Sequence, residues 1–313
     1  MKKEVNIFII LVAFIIVGTG CGTSNDGFNA NGKYEDVIQY NKDLENEYML
    51  ESFPYYYAES KDLITYYQKV MEGEIKNYCL LTLIDGKRFK ETINADEAEY
   101  VYFGEIEKQY PEGKGVLFHK IVNDRQSGLS AYCIAAIADF DEGYISGYAL
   151  CYDLMIDSYR NLKISFSNGY EGEYDKGTRS GEGIYYWDAV FSSISYIESG
   201  LSYEFADSAF VQVSDIIVMD LPMVSDLKVA YIGEFLNDQY NGEGIIYNTD
   251  SQMPKFIGKF KRGKYAEGKL YSENGSLLYE GEFKDGKYHG KGILYNEDGS
   301  IEYEGKFKKG DIK

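Results

Sequence analysis

The stretch Tyr279–Lys313 reads YEGEFKDGKYHGKGILYNEDGSIEYEGKFKKGDIK, and its internal restart decides the fold. Tyr279, Gly281 and Phe283 open it, Gly286, Gly290 and Gly292 follow, and the pattern begins again at Tyr303, Gly305 and Phe307. A unit that restarts after about two dozen residues is a structural repeat. The same skeleton stands upstream as YIGEFLNDQYNGEGIIY (231–247), FIGKFKRGKYAEGKLY (256–271) and YEGEYDKGTRSGEGIYY (170–186). Alternate residues of a strand share a face, so Tyr279, Gly281 and Phe283 point one way and Glu280 and Glu282 the other. Asp285-Gly286 starts the reversal, because glycine tolerates positive φ. The return strand puts Gly290, Gly292 and Leu294 on one face and Lys291, Ile293 and Tyr295 on the other. A glycine beside an aromatic lets the ring lie flat over the backbone, which recovers packing that a strand glycine forfeits. Asn296–Ser300 then turns the chain into the next hairpin. A single hairpin is marginal, so stacked neighbours supply the stability.

Working outward, Tyr102–Phe118 is a first recognisable unit and Ile137–Tyr152 a degenerate one, with Ala138 where glycine is expected. The last unit, from Tyr303 to Phe307, shows its first strand and no second. Between Trp187 and Val229 the pattern breaks. Phe191–Tyr203 and Phe210–Met219 are rich in strand formers, and Asp220-Leu221-Pro222 is a breaker. Before the repeats, Ser60–Met71 carries Leu63, Tyr66, Tyr67 and Val70 at helical spacing, with Ser60 and Asp62 as N-capping candidates. Tyr78–Ile84 followed by Asp85-Gly86 reads as a hairpin strand. The expected fold is mainly β: an elongated single-layer antiparallel sheet of stacked hairpins, with a small α+β N-terminal cap and a disordered leader. The boundaries are a leader over 1–20, a flexible tether over 21–33, the cap over 34–98, degenerate repeats over 99–187, an irregular insertion over 188–228 and regular repeats over 229–313.

The pattern Y-x-G-x-F/Y, a turn glycine, then G-x-G and an aromatic or aliphatic pair resembles the MORN repeat (membrane occupation and recognition nexus). The resemblance implies an elongated, twisted, single-layer antiparallel sheet used for scaffolding and protein contact, with a disputed association with acidic phospholipids in some members. It implies no catalytic residues. The leader has its own resemblance. Met1-Lys2-Lys3 is basic, Ile7–Val17 is an uncharged apolar run too short for a comfortable membrane span, and small residues precede Cys21. This is similar to a bacterial lipoprotein signal, although Gly18 stands where an aliphatic residue is preferred. The resemblance implies cleavage before Cys21, a lipid on its thiol, and an anchored protein on the extracytoplasmic face of a bacterial membrane. The competing reading is an ordinary secretory signal with an incidental cysteine.

The chain has 33 Gly, 32 Tyr and 17 Phe, a bias toward strands and tight turns. Its formal net charge of −19 argues against a nucleic-acid partner, since phosphate binding needs a basic surface. From Lys255 onward, however, bases outnumber acids. No GxSxG, HExxH, phosphate loop or CxxC is present, so no enzyme, cofactor or metal is expected. His119 and His289 read as surface or turn residues. The recurring acids Glu171/Glu173 and Glu280/Glu282 read as a solvated face. Cys133 and Cys151 are either buried free thiols or a bridge across a hairpin centred near Asp141-Glu142-Gly143.

The expected function is a non-catalytic, membrane-anchored interaction scaffold with unidentified protein partners. A cell-wall glycan or acidic lipid is the alternative ligand. The candidate interaction face is the aromatic stripe Tyr170, Tyr174, Tyr231, Phe235, Phe256, Phe260, Tyr279, Phe283, Tyr303 and Phe307. It serves either as packing or as an exposed platform.

Overall fold

A computed structural model describes residues 53–124, 129–157, 161–187, 193–195, 210–213, 216–219 and 228–313. The leader, Cys21, the tether and the first part of the cap lie outside the described residues, as does much of the insertion. One helix, α1 (Phe53–Met71), precedes strands β1 (Cys79–Ile84), β2 (Arg88–Glu91), β3 (Tyr100–Glu107), β4 (Tyr110–Asp124), β5 (Leu129–Asp141), β6 (Tyr144–Asp157), β7 (Asn161–Asp175) and β8 (Thr178–Tyr186). The insertion contributes β9 (Ser193–Ser195), β10 (Phe210–Val213) and β11 (Ile216–Met219). The regular repeats supply β12 (Val229–Leu236), β13 (Gln239–Tyr247), β14 (Pro254–Lys261), β15 (Lys264–Tyr271), β16 (Leu277–Lys284), β17 (Lys287–Tyr295), β18 (Ile301–Lys308) and β19 (Asp311–Ile312).

From β3 to β8 each strand pairs antiparallel with the next. The meander then passes directly from β8 to β12 and runs on to β19. The sheet thus closes over the insertion as if 188–228 were absent from the ladder. The insertion instead fills a split. Beyond Cys151, β6 leaves β5 and follows β7, and β11 lies beside Ala131–Cys133 of β5 in parallel register. The sheet is otherwise antiparallel as expected, and this short pair from the insertion is the exception among the described strands. A correction concerns the last unit, where Asp311 and Ile312 pair with Lys308 and Phe307 as a short second strand.

The hairpins are tight because their two loop residues both take positive φ. The pairs are Lys108-Gln109, Glu142-Gly143, Lys176-Gly177, Asn237-Asp238, Arg262-Gly263, Asp285-Gly286 and Lys309-Gly310. This is the type I′ geometry, whose twist matches that of the flanking strands. Register then places one small residue per strand in a single file across the whole meander. Gly104, Gly115, Ala138, Ala149, Gly172, Gly183, Gly233, Gly244, Gly258, Gly268, Gly281, Gly292 and Gly305 are each paired with the next.

At the degenerate end the cap covers both faces. Leu63, Tyr67 and Val70 of α1 pack with Val101, Phe103, Val116, Phe118, Ile134 and Leu150 on the face opposite the aromatics. On the aromatic face Leu81 and Phe89 of the β1–β2 hairpin join Tyr102, Ala136 and Phe140. Ala136 sits where other units carry a ring, and Phe89 packs edge-on against Phe140 with centroids 6.2 Å apart in that neighbourhood. Asp85 and Gly86 take positive φ in the hairpin turn, as the sequence predicts. The helix begins at Phe53, so Ser60 lies inside it and not at its N-cap. Pro54 falls in the first turn, where its missing N–H breaks no helical hydrogen bond.

Candidate interaction face

The regular repeats explain themselves residue by residue. Tyr279 is fully buried although, among the described residues, only side chains of the sheet itself pack in its cluster. Its ring lies on the Gly281–Gly292 pair, so close that a Cβ on Gly292 would stand 2.6 Å from Cε2 and nearer still to Oη. Its hydroxyl donates to the carbonyls of Glu282 (3.0 Å) and His289 (3.3 Å). The ring of Tyr288 then stacks on top at 3.9 Å and 7°. Backbone, ring and ring form three tiers. Tyr231 repeats the arrangement over Gly233 and Gly244 under Tyr240, and Phe256 does so over Gly258 and Gly268 under Tyr265. Tyr231 donates to the Glu234 carbonyl (2.9 Å), as Tyr170 does to Glu173 (3.1 Å). Phe256 has no hydroxyl to donate. Burial raises the phenols. Tyr240 and Tyr279 are pushed up to about 12, and Tyr102, Tyr170 and Tyr231 are raised further, in each case chiefly by desolvation.

The ten aromatics expected at the interaction face form one continuous ladder. In order it runs Tyr174, Tyr170, Phe235, Tyr231, Phe260, Phe256, Phe283, Tyr279, Phe307, Tyr303, with neighbouring centroids 5.0–5.4 Å apart and planes at 79–90°. Edge-to-face pairs of this kind contribute about 0.5–1.5 kcal/mol each beyond burial. Tyr174 and Tyr303 are half-buried and the other eight are buried. The stripe is therefore the core of the array, with the rings on top (Tyr240, Tyr265 and Tyr288) half-buried.

Where a unit lacks the topmost tyrosine, Arg179 takes its place. Its guanidinium carbon lies 5.6 Å from the Tyr170 centroid, 5.2 Å from Tyr185 and 5.7 Å from Phe235, a cation–π arrangement. Asp238 holds it there through Nε (3.3 Å) and the Arg179 amide (2.9 Å), and also accepts from Lys87 Nζ (3.1 Å) in the β1–β2 loop. Partial burial acts to raise the Asp238 pKa, but the Arg179 amide and Lys87 outweigh it and hold the carboxyl below the usual range. This network ties the cap to the first regular hairpin. Its one trace in the sequence is arginine at the position that Tyr240 and Tyr288 hold in other units.

The opposite face carries the acids and bases. Glu234 and Glu282 are not freely solvated. Each carboxylate accepts a backbone N–H across its hairpin, from Glu243 (2.8 Å) and Lys291 (3.1 Å), at a bulge formed by Gly242 and Gly290 with positive φ. Glu171 departs further from expectation. It is half-buried and accepts hydrogen bonds from Tyr148 (2.5 Å) and Tyr186 (3.4 Å), and desolvation raises its pKa despite those bonds. Ile245, Ile257 and Tyr271 form a small apolar patch on this face with Tyr247 and Leu277. The helix packs against β4, β5, β6 and β10 and leaves the corresponding face of β12–β19 uncovered among the described residues.

The remaining candidates also find their places. His119 lies in β4 opposite Tyr100, and His289 in β17 opposite Glu282, so neither occupies a turn. Burial lowers the His119 pKa. Cys133 and Cys151 are not joined in a disulfide. Cys151 pairs with Ala136, while β11 lies beside Cys133 at Met219, so the bridge left open by the sequence is not made. Among the described residues no group of three His, Cys, Asp or Glu side chains converges as a metal site, and no helix is long and apolar enough to cross a membrane.

A family model described as the MORN repeat matches residues 170–188, 231–253 and 279–301. No curated protein matches the chain. The three matched segments fall on β7–β8, β12–β13 and β16–β17, in each of which a tyrosine lies over a glycine pair, as Tyr102 also does over Gly104 and Gly115 in β3–β4. Such repeats suggest a binding or scaffolding role, and the chain carries MORN repeats at these three positions.

Proposed function

We propose that the protein is a non-catalytic scaffold, anchored to the extracytoplasmic face of a bacterial membrane through a lipid on Cys21, that holds a protein partner on its regular repeats. The uncovered face of β12–β19 carries the reading. The aromatic ladder buries its own rings and stiffens the sheet from one side. The other side is a field of exposed charged residues around a small apolar cluster in which Ile245, Ile257 and Tyr271 are buried and Tyr247 and Leu277 half-buried, a mostly polar surface of the kind a non-obligate contact uses. The anchor rests on the leader's resemblance to a lipoprotein signal and on the polar tether behind Cys21.

Crosslinking with mass spectrometry on intact cells tests the scaffold. Crosslinks from the lysines of β14–β18 to one other protein are expected, and recovery of none from cells rich in the protein would overturn the reading. Release of a Cys21→Ala variant from the membrane fraction is the expected result for the anchor; unchanged retention would count against it. A cell-wall glycan is less well supported, because the ladder rings Tyr231, Phe256 and Tyr279 lie between glycine backbone and a second ring, which leaves only the half-buried Tyr240, Tyr265 and Tyr288 for stacking.

A further inference from the structure

Two equivalent grooves lie at the bulges of the regular repeats, and they differ in charge. The first, about 470 Å³, is lined by Glu234, Gly242, Glu243, Lys259 and Lys261. The second, about 360 Å³, is lined by Glu282, Gly290, Lys291, Lys306, Lys308 and, at its end, Lys313. The residues correspond one to one. Gly242 matches Gly290 at the bulge, and the carboxylates of Glu234 and Glu282 bind the same backbone N–H in each. Lys259 and Lys306 occupy the same place on the following strand.

The linings differ at three positions: Asn241 against His289, Ala266 against Lys313 and, with the reversal of charge, Glu243 against Lys291. In the first groove Glu243 stands directly across from Lys259 and forms an ion pair at 3.6 Å. In the second, Lys291 stands directly across from Lys306. Like charges in direct opposition destabilise a sheet. All four lysines of the second groove are exposed, and none has an ion-pairing carboxylate within 4.0 Å among the described residues. On the floor, Nδ1 of His289 is shielded from solvent and unpartnered among the described residues. This concentration of free cations sits on a chain whose formal charge is −19.

We infer that the groove between β17 and β18 is a docking site for an acidic segment of a partner protein, its carboxylates taking the place of the missing Glu243-type counter-charge. The inference rests on the scaffold reading above and assigns the chemistry of its partner. The lysines are point charges on flexible stems, suited to several carboxylates in sequence and not to one rigid planar group. The complex is correspondingly salt-sensitive, because exposed charges are screened within about 10 Å at 0.1 M salt.

The test uses the full chain and a fluorescent hexaglutamate peptide, read by anisotropy at low salt. The wild type binds one peptide. Lys291→Glu recreates the upstream pair opposite Lys306 and weakens binding by about tenfold or more. Glu243→Lys combined with Ala266→Lys gives the first groove the unpaired lysines of the second, and a second peptide binds. Circular dichroism melts establish that both variants fold. Three results overturn the inference: no binding by the wild type, binding unaffected by Lys291→Glu, or Lys291-dependent capture of phosphatidylserine vesicles with hexaglutamate ignored. In each of these cases crosslinks to a protein partner at other lysines would leave the scaffold reading standing. A change of oligomeric state in Lys291→Glu, seen by sedimentation without any peptide effect, likewise refutes it in favour of a second copy of the chain.

Discussion

Replacing Gly292 by alanine isolates the contact on which each repeat depends. Gly292 does not take a positive φ, so the change brings no backbone strain of its own. All the cost comes from the ring above it. The new Cβ would overlap Oη, Cζ and Cε2 of Tyr279, whose hydroxyl is fixed by two carbonyls and whose upper face is held by Tyr288. Overfilling a packed site costs about 1–3 kcal/mol. If the ring is lifted, its edge contacts with Phe283 and Phe307 weaken as well, at about 0.5–1.5 kcal/mol each. A loss of about 3 kcal/mol is expected. In a Tyr279→Ala background the same substitution meets no ring, and alanine should be neutral or stabilising by about 0.5–1 kcal/mol relative to glycine in a strand. The two changes should therefore couple by about 3 kcal/mol, where independent sites add to within a few tenths. Arrays unfold by neighbouring units, so a global melt would blur the effect. Hydrogen exchange of the β16 and β17 amides, measured in all four members of the cycle, reads it locally. Coupling below about 0.5 kcal/mol would refute the claim that the glycine file exists to seat the rings.

Other expectations follow from the same geometry. Tyr279→Phe removes one hydroxyl donor and should cost about 1 kcal/mol in local exchange stability, with the ring retained as at Phe256. The phenols of Tyr240 and Tyr279 are raised to about 12 when folded and those of Tyr102, Tyr170 and Tyr231 higher still. Their contribution to stability is thus complete below the unfolded value near 10 and declines as pH rises through 12. Urea midpoints that stay flat from pH 9 to 12 would contradict this. Asp238 is lowered, so its contribution is present above the ordinary carboxylate range near 4 and is lost as pH falls through its folded value. Asp238→Asn should destabilise by no more than about 1 kcal/mol at pH 7, since the group is partly exposed. The difference from wild type should vanish in acid, as read by parallel urea melts. Burial raises both Cys79, to about 12, and Cys133, so a disulfide-exchange reagent at pH 8 should modify them only after urea is added.

Which parts of this architecture are visible in the sequence follows from the range of the interactions. Asp285-Gly286 and the alternation of Tyr279, Gly281 and Phe283 are local, and they suffice to predict turn, register and the ring over glycine. The start of α1 was placed too late because Ser60 offers a plausible cap while Pro54 offers an equally acceptable first turn, and propensity does not choose between them. The parallel placement of β11 beside β5 depends on where β6 departs from its neighbour, a non-local event with no signature in either strand. Glu171 belongs by pattern to a solvated row. Its burial comes from Tyr148 and Tyr186, which register brings together from far along the chain. Of the two readings the sequence leaves for the aromatic stripe, the structure shows packing, because ring-on-ring stacking lets one layer bury its own side chains.

The single file of small residues also sets a unit of length. Strands in a sheet stand about 4.8 Å apart, so each hairpin advances the array by roughly 10 Å without altering the packing of the hairpin before it. Duplicating or deleting one repeat would then move everything beyond it outward or inward by a fixed step, with no new core to evolve. Under the anchor proposed above, that step would govern how far from the surface the lysine groove is carried. Array length and binding chemistry are separate variables here, adjustable by recombination and by point substitution respectively.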